Sequence, residues 1–556
     1  MLSKTVIISS VLLASAKTPP LVLDQRQDSA IDWARCDLDL PESLEAAITE
    51  PLDCATIQVP LDYTDPDSDP LDLQLIRVRA NREPVDNSVI FNPGGPGGSG
   101  IQEIIKNGVR YRDIFGGHHS IIGFDARGSG RTIPFICDLA SGPSDGSPGC
   151  GSNLTARNAY AMIPQENPYD ILISKAWEDG KWLADACAAG KNDTARFYGT
   201  SFVARDLVAI VDALDEDGLI RFWGRSYSTV LGQTVAAMFP DRVERMLLEA
   251  VVLAEDYNSG RWLAPTRDVE AFLSNFFREC INAGPRICSP AGFHGNSTTA
   301  QSLLEEMAEV FQELIDEPAF ISRDYPTREW WRPADDNTVY IQLKFVIMNA
   351  LSNPAGWTTL ASVIQNALDR DWTLFTNPAP TPAPEEIPWN LGLPSNFHGI
   401  ACSDSTFRAS RPEELYSLAE AQSSQGSFAD AFSPQVWVCA HWKFDAAERY
   451  TGSWDNIRTR APIMLVNSRY DPITPLSAAQ ETAVRFRDSR LFIHEGVGHG
   501  VARQPSNCTY QIIGNYFANG TLPTMHTTCE SDITVWEIAA AAAEAQAEAS
   551  GAQSGY

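Results

Sequence analysis

The amino-acid sequence predicts an α/β fold, with helices on both faces of a mostly parallel sheet and a mainly helical insertion between two halves of that sheet. Short apolar segments alternate with segments of helical periodicity between residues 71 and 252. The alternation stops near residue 260, and buried strands resume at 462. Because alternating strands and helices form parallel sheets covered on both faces, the two stretches are interpreted as one split sheet domain.

The strands are predicted where apolar residues alternate or form short runs. In chain order they are expected at 71–78, 88–92, 121–124, 219–223, 243–252, 462–466 and 490–494. Helices are predicted at 204–214 and 228–238, where apolar residues recur at helical spacing, and the second is stopped by Phe239-Pro240. The first half of the sheet domain is therefore expected over 17–260.

The insertion is expected over 261–440. It is rich in Trp and Pro, contains an amphipathic helix at 303–314, and has a proline-dense loop at 377–384 that cannot pair inside a sheet. The second half of the sheet domain is predicted over 441–535. Residues 536–556 form a low-complexity tail, interpreted as either a frayed helix or a disordered segment.

Charge excludes some classes of partner. The chain has 42 Lys and Arg against 71 Asp and Glu, a net charge of −29, with a pI near 4.6. Nucleic acid and anionic membrane surfaces would be repelled by this field, so neither is expected as a partner. With eight His and no Cys/His cluster at ligand spacing, the sequence indicates neither a metal site nor a cofactor.

The amino terminus predicts export. Residues 1–16 combine the basic Lys4, an apolar run over 6–14 and the small residues Ala14-Ser15-Ala16, the order of a secretory signal peptide. The run is shorter than the roughly 20 residues that span a bilayer. A buried amino-terminal strand is the alternative. A signal peptide makes the protein secreted and extracellular.

Sequons and cysteines agree with export. Five Asn-x-Ser/Thr sequons occur, at Asn153, Asn192, Asn296, Asn507 and Asn519. Eleven cysteines include three close pairs able to close small loops, Cys36 with Cys54, Cys280 with Cys288, and Cys508 with Cys529. The odd count leaves at least one thiol free unless chains pair, and a catalytic thiol is one reading of that residue.

A serine is the stronger nucleophile candidate. Gly224-Arg-Ser226-Tyr-Ser228 lies between a predicted strand and a predicted helix, the context of a nucleophile elbow, although the usual last residue is Gly. The alternative is an ordinary turn. Glycines dominate 92–100, after the strand at 88–92, and their N–H groups suit an oxyanion hole formed by Gly95, Gly97 and Tyr227. A flexible loop or a phosphate loop is the alternative there, but no Lys-Ser/Thr partner follows.

The second half of the chain supplies an acid and a base. Asp471 follows the strand at 462–466, and His499 lies in a Gly-flanked loop after the strand at 490–494. The order Ser226, Asp471, His499 is that of a Ser-Asp-His triad on an α/β sheet. Taken singly, Asp471 could be a turn former and His499 a surface histidine. Asp125 and Arg127 are expected to form a structural ion pair.

These motifs resemble a known family. They are Asn92-Pro-Gly-Gly-Pro-Gly, Asp125-Ala-Arg-Gly-Ser-Gly, Gly224-Arg-Ser-Tyr, Asp471-Pro-Ile-Thr-Pro, Gly498-His-Gly, and the carboxyl-terminal Cys402, Cys439, Gln504-Pro-Ser-x-Cys508, Leu522-Pro and Cys529. Together they look like the secreted tripeptidyl-aminopeptidase branch of the prolyl-aminopeptidase-like serine hydrolases. The resemblance implies an α/β-hydrolase core with a helical cap, and cleavage of short peptides from a free amino terminus.

Two departures leave the substrate open. Ser228 replaces a common Gly, and 249–254 reads Glu-Ala-Val-Val-Leu-Ala where relatives commonly have Asp-Gly-Val-Val-Asp-Pro. The resemblance implies acidic groups near that segment to hold the substrate ammonium, and Glu255 and Asp256 are the candidates to replace the missing Asp. Esterase or lactonase action by the same triad is the main alternative. A non-catalytic binding protein on a hydrolase fold is the other.

Overall fold

The computed structural model describes residues 31–137, 162–190, 194–322, 338–378 and 394–553. The predicted signal segment, the sequons at Asn153 and Asn192, and the eleventh cysteine, Cys150, lie outside these residues. The sequon residues Asn296, Asn507 and Asn519 are described and exposed. No helix in the described ranges has both the length and the apolar character needed to cross a membrane.

A ten-stranded sheet forms the centre of the molecule. Its strands are β1 Ala34–Arg35, β2 Asp53–Pro60, β3 Pro70–Val78, β4 Asp86–Asn92, β5 His119–Phe124, β6 Ile220–Arg225, β7 Val243–Glu249, β8 Met464–Tyr470, β9 Arg490–Val497 and β10 Thr528–Glu530. Their spatial order is β1-β2-β3-β5-β4-β6-β7-β8-β9-β10. From β5 to β10 all neighbours are parallel, and only the pairs β1–β2, β2–β3 and β3–β5 are antiparallel.

The two halves of the chain meet in this sheet between β7 and β8. Leu247 is in register with Met464, and Glu249 with Val466, although the chain travels through the helical insertion between them. The predicted fold class, a mostly parallel sheet with an inserted helical cap, is confirmed. The predicted strand at 243–252 ends early, at Glu249, because Ala250 has a φ of +55°, a left-handed conformation that interrupts the extended chain.

Helices cover the sheet and build the cap. They are α1 Glu42–Glu45, α2 Gly100–Ile114, α3 Pro168–Ile171, α4 Trp177–Gly190, α5 Thr200–Ala213, α6 Ser228–Met238, α7 Ala254–Asn258, α8 Val269–Ala283, α9 Ala300–Asp316, α10 Val339–Leu351, α11 Trp357–Leu368, α12 Thr373–Thr376, α13 Pro394–Asp404, α14 Tyr416–Ser423, α15 Ala429–Phe432, α16 Pro434–Trp437, α17 Leu476–Ala483, α18 Asn507–Asn519 and α19 Val535–Gln553. The predicted helix at 228–238 matches α6.

The cap has its own apolar core. Phe276, Phe311 and Trp357 are among the buried side chains of α8, α9 and α11 that pack together there. A second helical segment, α3 and α4, enters between β5 and α5 and packs Leu183 against Val438 in a neighbouring cluster. The sequence analysis predicts no helix in that segment.

Helix α19, Val535–Gln553, covers most of the segment predicted as a tail, 536–556. The Trp536 indole N–H donates to the carbonyl of Glu279 at 3.0 Å, and its ring lies against Phe276 and Trp357. Ala539 is fully buried in the same core. The alanine-rich carboxyl terminus therefore begins as part of the cap.

Five disulfides are present in the described residues. They are Cys36–Cys54, Cys137–Cys187, Cys280–Cys288, Cys402–Cys439 and Cys508–Cys529. The three close pairs expected from the sequence are confirmed. The other two join cysteines 50 and 37 residues apart, too far for a pairing to be read from spacing.

Candidate active site

Ser226 lies on a strained turn between β6 and α6. Its φ is +59°, a left-handed conformation that is uncommon for a residue with a side chain. The Ser226 N–H donates to the carbonyl of Glu249 at 3.0 Å, and its carbonyl accepts from the N–H of Thr229 at 2.8 Å. A sharp, strained strand-to-helix turn is the geometry that presents a nucleophilic serine above the sheet.

Small residues on both sides of Ser226 make this turn possible. A Cβ at Gly224 would lie 2.4 Å from the carbonyl oxygen of Ser228, so the approach requires glycine. Ser228 is buried, and its hydroxyl donates to Oδ1 of Asn92, which also accepts the N–H of Gly94 at 3.3 Å. The serine found where relatives commonly have glycine thus ties the elbow to the glycine loop.

Asp471 and His499 are hydrogen bonded. Nδ1 of His499 lies 2.9 Å from Oδ2 and 3.2 Å from Oδ1 of Asp471, which is 1% exposed. The carboxylate also accepts the N–H groups of Ile473 and Thr474, at 3.0 and 2.9 Å, and the Thr474 hydroxyl at 2.7 Å. An acceptor at Nδ1 fixes the proton there and leaves Nε2 free to act as a base.

Glu249 is not among the site residues predicted from the sequence. It contacts both the turn of Ser226 and the loop that carries His499. Its carbonyl holds Ser226, while its carboxylate accepts the N–H of Val501 at 2.8 Å and the indole N–H of Trp223 at 2.7 Å. A Cβ at Gly500 would lie 2.8 Å from the Glu249 carboxylate. The loop carrying His499 therefore packs directly on the end of β7, whose last carbonyl accepts the N–H of Ser226. A buried acidic residue at the end of an apolar strand is the sequence signal for this role.

The three residues predicted as a triad each follow the carboxyl end of a parallel strand of the sheet. Ser226 follows β6, Asp471 follows β8, and His499 lies two residues beyond β9. Within the described residues the Ser226 hydroxyl makes no hydrogen bond. Catalytic hydrogen bonds are often long before substrate binds, so the contact between this hydroxyl and Nε2 of His499 is expected to form in the complex.

The glycine loop lies against the elbow. Gly94 has a φ of +96°, and a Cβ there would lie 2.4 Å from the carbonyl of Arg225 and 2.9 Å from the nitrogen of Tyr227. The loop is closed by a hydrogen bond from the Gly98 N–H to the Gly94 carbonyl at 3.0 Å. In the described part of the chain, the N–H groups of Gly95, Gly97 and Tyr227 donate no hydrogen bond. All three predicted donors are thus available.

Adding a methyl group at Gly94 tests this close approach. Gly94→Ala is expected to lower kcat about 100-fold, the size of losing one oxyanion donor, because the new Cβ pushes the loop away from Tyr227. Gly284→Ala is the matched control, since Gly284 also has a positive φ, +78°, but nothing lies within 4 Å of its Cβ position. Equal activity of the two variants would show that the contact at Gly94 does not matter.

The two predicted ammonium-binding residues have internal partners. Glu255 pairs with Arg485 at 2.7 Å. Asp256 is buried and accepts the N–H of Ala264 at 2.9 Å, and burial raises the pKa of its carboxyl. No described contact links either carboxylate to Ser226, and their role in substrate binding stays a prediction.

Two other histidines, His441 and His494, are buried or partly buried. Burial lowers the pKa of both His441 and His494 to about 4, so both rings are neutral at pH 7. His494 contacts the Thr509 hydroxyl at 3.0 Å, and the ring of His441 lies against Trp177. Among the described residues, no three His, Cys, Asp or Glu side chains gather as a metal ion would require.

The expected ion pair between Asp125 and Arg127 is wrong. Arg127 forms a bidentate pair with Asp206 of α5, with both nitrogen-to-oxygen distances 2.7 Å. Asp125 instead accepts the Ser99 hydroxyl at 2.6 Å and the N–H of Arg131 at 2.7 Å. Two parallel bonds to a buried carboxylate from another element are stronger than a contact between near neighbours.

Two family models match parts of the chain. The model of the α/β-hydrolase fold family matches residues 87–279, and that of the TAP-like protein family matches 424–529. Serine protease Hip1 of Mycobacterium tuberculosis is 26% identical over 527 residues, covering 90% of this chain and 91% of that protein. The tripeptidyl aminopeptidase of Streptomyces lividans is 23% identical over 524 residues, covering 91% and 88%.

A relative with a different name matches as broadly. Carboxylesterase B of Mycobacterium tuberculosis is 23% identical over 548 residues, covering 93% of this chain and 92% of that protein. These matches extend over at least 90% of this chain. The chain thus has an α/β-hydrolase fold, and its residues 424–529 are similar to the TAP-like protein family.

Proposed function

We propose that the protein is a serine hydrolase that releases short peptides from the free amino termini of its substrates. The observation that carries the proposal is the hydrogen bond between Nδ1 of His499 and Asp471, 2.9 Å long, at the sheet edge where the elbow presents Ser226. An oriented imidazole beside a strained serine is the arrangement that nucleophilic acyl transfer requires.

The reaction has two halves. Nε2 of His499 takes the hydroxyl proton of Ser226 as Oγ bonds to the substrate carbonyl carbon, and the same proton passes to the leaving amine as the C–N bond breaks. Water then gives a proton to His499 and its oxygen to the acyl-enzyme, which releases the new carboxyl group and restores Ser226. Asp471 holds the imidazole and stabilises its charged form.

The oxyanion of each tetrahedral intermediate needs hydrogen-bond donors. Gly95, Gly97 and Tyr227 are the candidates, because their N–H groups are free in the described part of the chain and lie in the loop and the elbow that touch at Gly94. Donors fixed in place before the reaction stabilise the developing charge without reorganisation.

The peptide substrate is supported by the relatives named tripeptidyl aminopeptidase and serine protease. The alternative, an esterase, is favoured by the relative named carboxylesterase and by Leu253 in place of an expected Asp. Both activities would use the same triad. They differ in whether the enzyme requires a free amino terminus on its substrate.

A matched set of substrates separates the two. Tripeptide, dipeptide and proline amides, each with a free or an acetylated amino terminus, are compared with short aryl esters. We expect acetylation to lower kcat/KM at least about tenfold, the cost of roughly 1.4 kcal/mol for losing one favourable ammonium contact. Equal rates for free and acetylated peptides would contradict the aminopeptidase proposal, and turnover of the esters alone would favour the esterase.

The same substrates test Glu255 and Asp256. If either carboxylate holds the ammonium, Glu255→Gln or Asp256→Asn raises KM for the free peptides and leaves the acetylated ones unchanged. A loss that is equal for both substrate forms would assign these residues a structural role, as their contacts with Arg485 and Ala264 suggest.

We further propose that the enzyme acts outside the cytoplasm. Five disulfides are typical of an oxidising compartment, and the exposed sequons at Asn296, Asn507 and Asn519 are open to modification there. Finding the mature protein in the culture medium, with its amino terminus near residue 17, is the expected result.

A further inference from the structure

A buried carboxylate lies at the end of the cap helix α13. Asp404 is 3% exposed and accepts three hydrogen bonds. Two come from Thr200 at the start of α5, one from its N–H at 2.7 Å and one from its hydroxyl at 2.5 Å. The third comes from the hydroxyl of Tyr257, at 3.0 Å.

The hydroxyl of Thr200 also contacts the residue that follows the nucleophile. Its oxygen lies 2.5 Å from the hydroxyl of Tyr227, and both groups are buried. A threonine hydroxyl has one proton, and that proton goes to Asp404. Tyr227 must therefore be the donor to Thr200. The hydrogen bonds thus run from Tyr227 to Thr200 and from Thr200 to the Asp404 carboxylate.

We propose that Asp404 is a positioning residue, which holds Tyr227 through Thr200 and so aims the Tyr227 N–H at the oxyanion. The inference rests on the proposed function, in which that N–H is one of the oxyanion donors. The phenol anchors the far end of the Tyr227 side chain, while its backbone begins α6 and lies beside Gly94.

The same helix reaches the other side of the oxyanion hole. Near the first turn of α13, the Cβ of Asn396 lies 2.6 Å from where a Cβ at Gly97 would be. Cys402, two residues before Asp404, fixes the helix to the cap through its disulfide with Cys439. Helix α13 therefore contacts the glycine loop directly and reaches Tyr227 through Thr200.

Protonation of Asp404 would change the direction of these hydrogen bonds. Burial raises the pKa of Asp404 to about 6, against the opposing effects of its hydrogen bonds from Thr200 and Tyr257 and of the charge of Arg449. The titratable or charged groups described around it are Tyr257, Tyr227 and Arg449, with Tyr450 lining the same cavity. Once protonated, the carboxyl becomes a donor, Thr200 no longer needs to donate to it, and Tyr227 loses its defined acceptor. A cavity of about 280 Å³ joins Asp404 to the exposed Thr451 and gives protons a path.

Asp404→Asn keeps the size of the side chain and removes its charge. We expect it to lower kcat about tenfold at pH 8, with KM within about twofold, because a misaligned donor costs less than a lost one. Since the wild-type carboxyl protonates as pH falls through about 6, the ratio of wild-type to variant kcat is expected to shrink towards one below that pH. A merely structural defect would give a ratio that does not change with pH.

Two further variants complete the test. Thr200→Val removes the connecting hydroxyl and is expected to reproduce both the loss and its pH dependence, which keeps the proposal testable if Asp404→Asn does not fold. Asp445→Asn makes the same chemical change at an exposed carboxylate that also pairs with Arg449, and its kcat is expected to stay within about twofold of wild type. A loss independent of pH in Asp404→Asn and Thr200→Val, or wild-type kcat in both, overturns the proposal. Loss of turnover in Ser226→Ala alongside such a result would show that the proposed function survives while this inference fails.

Discussion

Replacing Ser226 with alanine is expected to lower kcat at least about 10⁴-fold, because the acyl-enzyme cannot form without Oγ. The change removes the Ser226 hydroxyl, which makes no hydrogen bond in the described part of the chain. The Ser226 N–H still donates to the Glu249 carbonyl, and the elbow keeps its main contacts. Folding should therefore be preserved, and any loss of activity belongs to the chemistry.

Steady-state turnover of the best peptide or ester substrate measures this loss. Circular dichroism and thermal unfolding of the variant provide the control for folding. Ser226→Ala with more than about 1% of wild-type kcat would be inconsistent with a triad mechanism, in which the serine accounts for most of the rate enhancement.

Asp471→Asn is expected to cost about 10⁴-fold in kcat, since an amide at this position favours the wrong imidazole tautomer. The carboxylate accepts from Nδ1 of His499, two backbone N–H groups and the Thr474 hydroxyl. An asparagine oxygen can keep the two backbone bonds, but its NH₂ then faces both the Thr474 hydroxyl and Nδ1. The proton of the ring moves to Nε2, and the base is lost.

A variant of Thr474 separates this effect from disruption of the loop that carries Asp471. Thr474→Val is the partner variant, because it removes the hydroxyl's bond to Oδ2 and its 3.2 Å contact with Nδ1 of His499, but keeps the carboxylate and its own bond to His499. We expect its loss to be far smaller than that of Asp471→Asn. Similar losses in the two variants would mean that the carboxylate acts mainly by holding its own loop.

The candidate triad residues could be picked from the sequence because their signals are local. A serine between a strand and a helix, and an acid and a histidine just after buried strands, can each be read within a few residues of sequence. Parallel strands place their carboxyl ends at one edge of the sheet, so positions just after β6, β8 and β9 put Ser226, Asp471 and His499 on that edge. The candidate oxyanion donors Gly95, Gly97 and Tyr227 are predicted from equally local motifs.

Contacts between distant parts of the chain were not predictable in this way. Glu249 accepts the N–H of Val501, 252 residues away, and Arg127 pairs with Asp206 rather than with Asp125. Asp404 reaches Thr200 across 204 residues. Each pairing depends on how elements pack, and one sequence contains no record of that packing. The start of α19 is similar, because its alanines show no apolar period although Trp536 and Ala539 are anchored in the cap.

Covalent trapping of the nucleophile tests the central claim most directly. A fluorophosphonate probe transfers its phosphonyl group to an activated serine oxygen with loss of fluoride, and peptide mass mapping then locates the adduct. The wild-type protein is expected to carry one adduct, on the peptide that contains Ser226, and Ser226→Ala is expected to carry none. An adduct on another residue, or turnover that continues unchanged in the fully labelled protein, would contradict the assignment of Ser226 as the nucleophile.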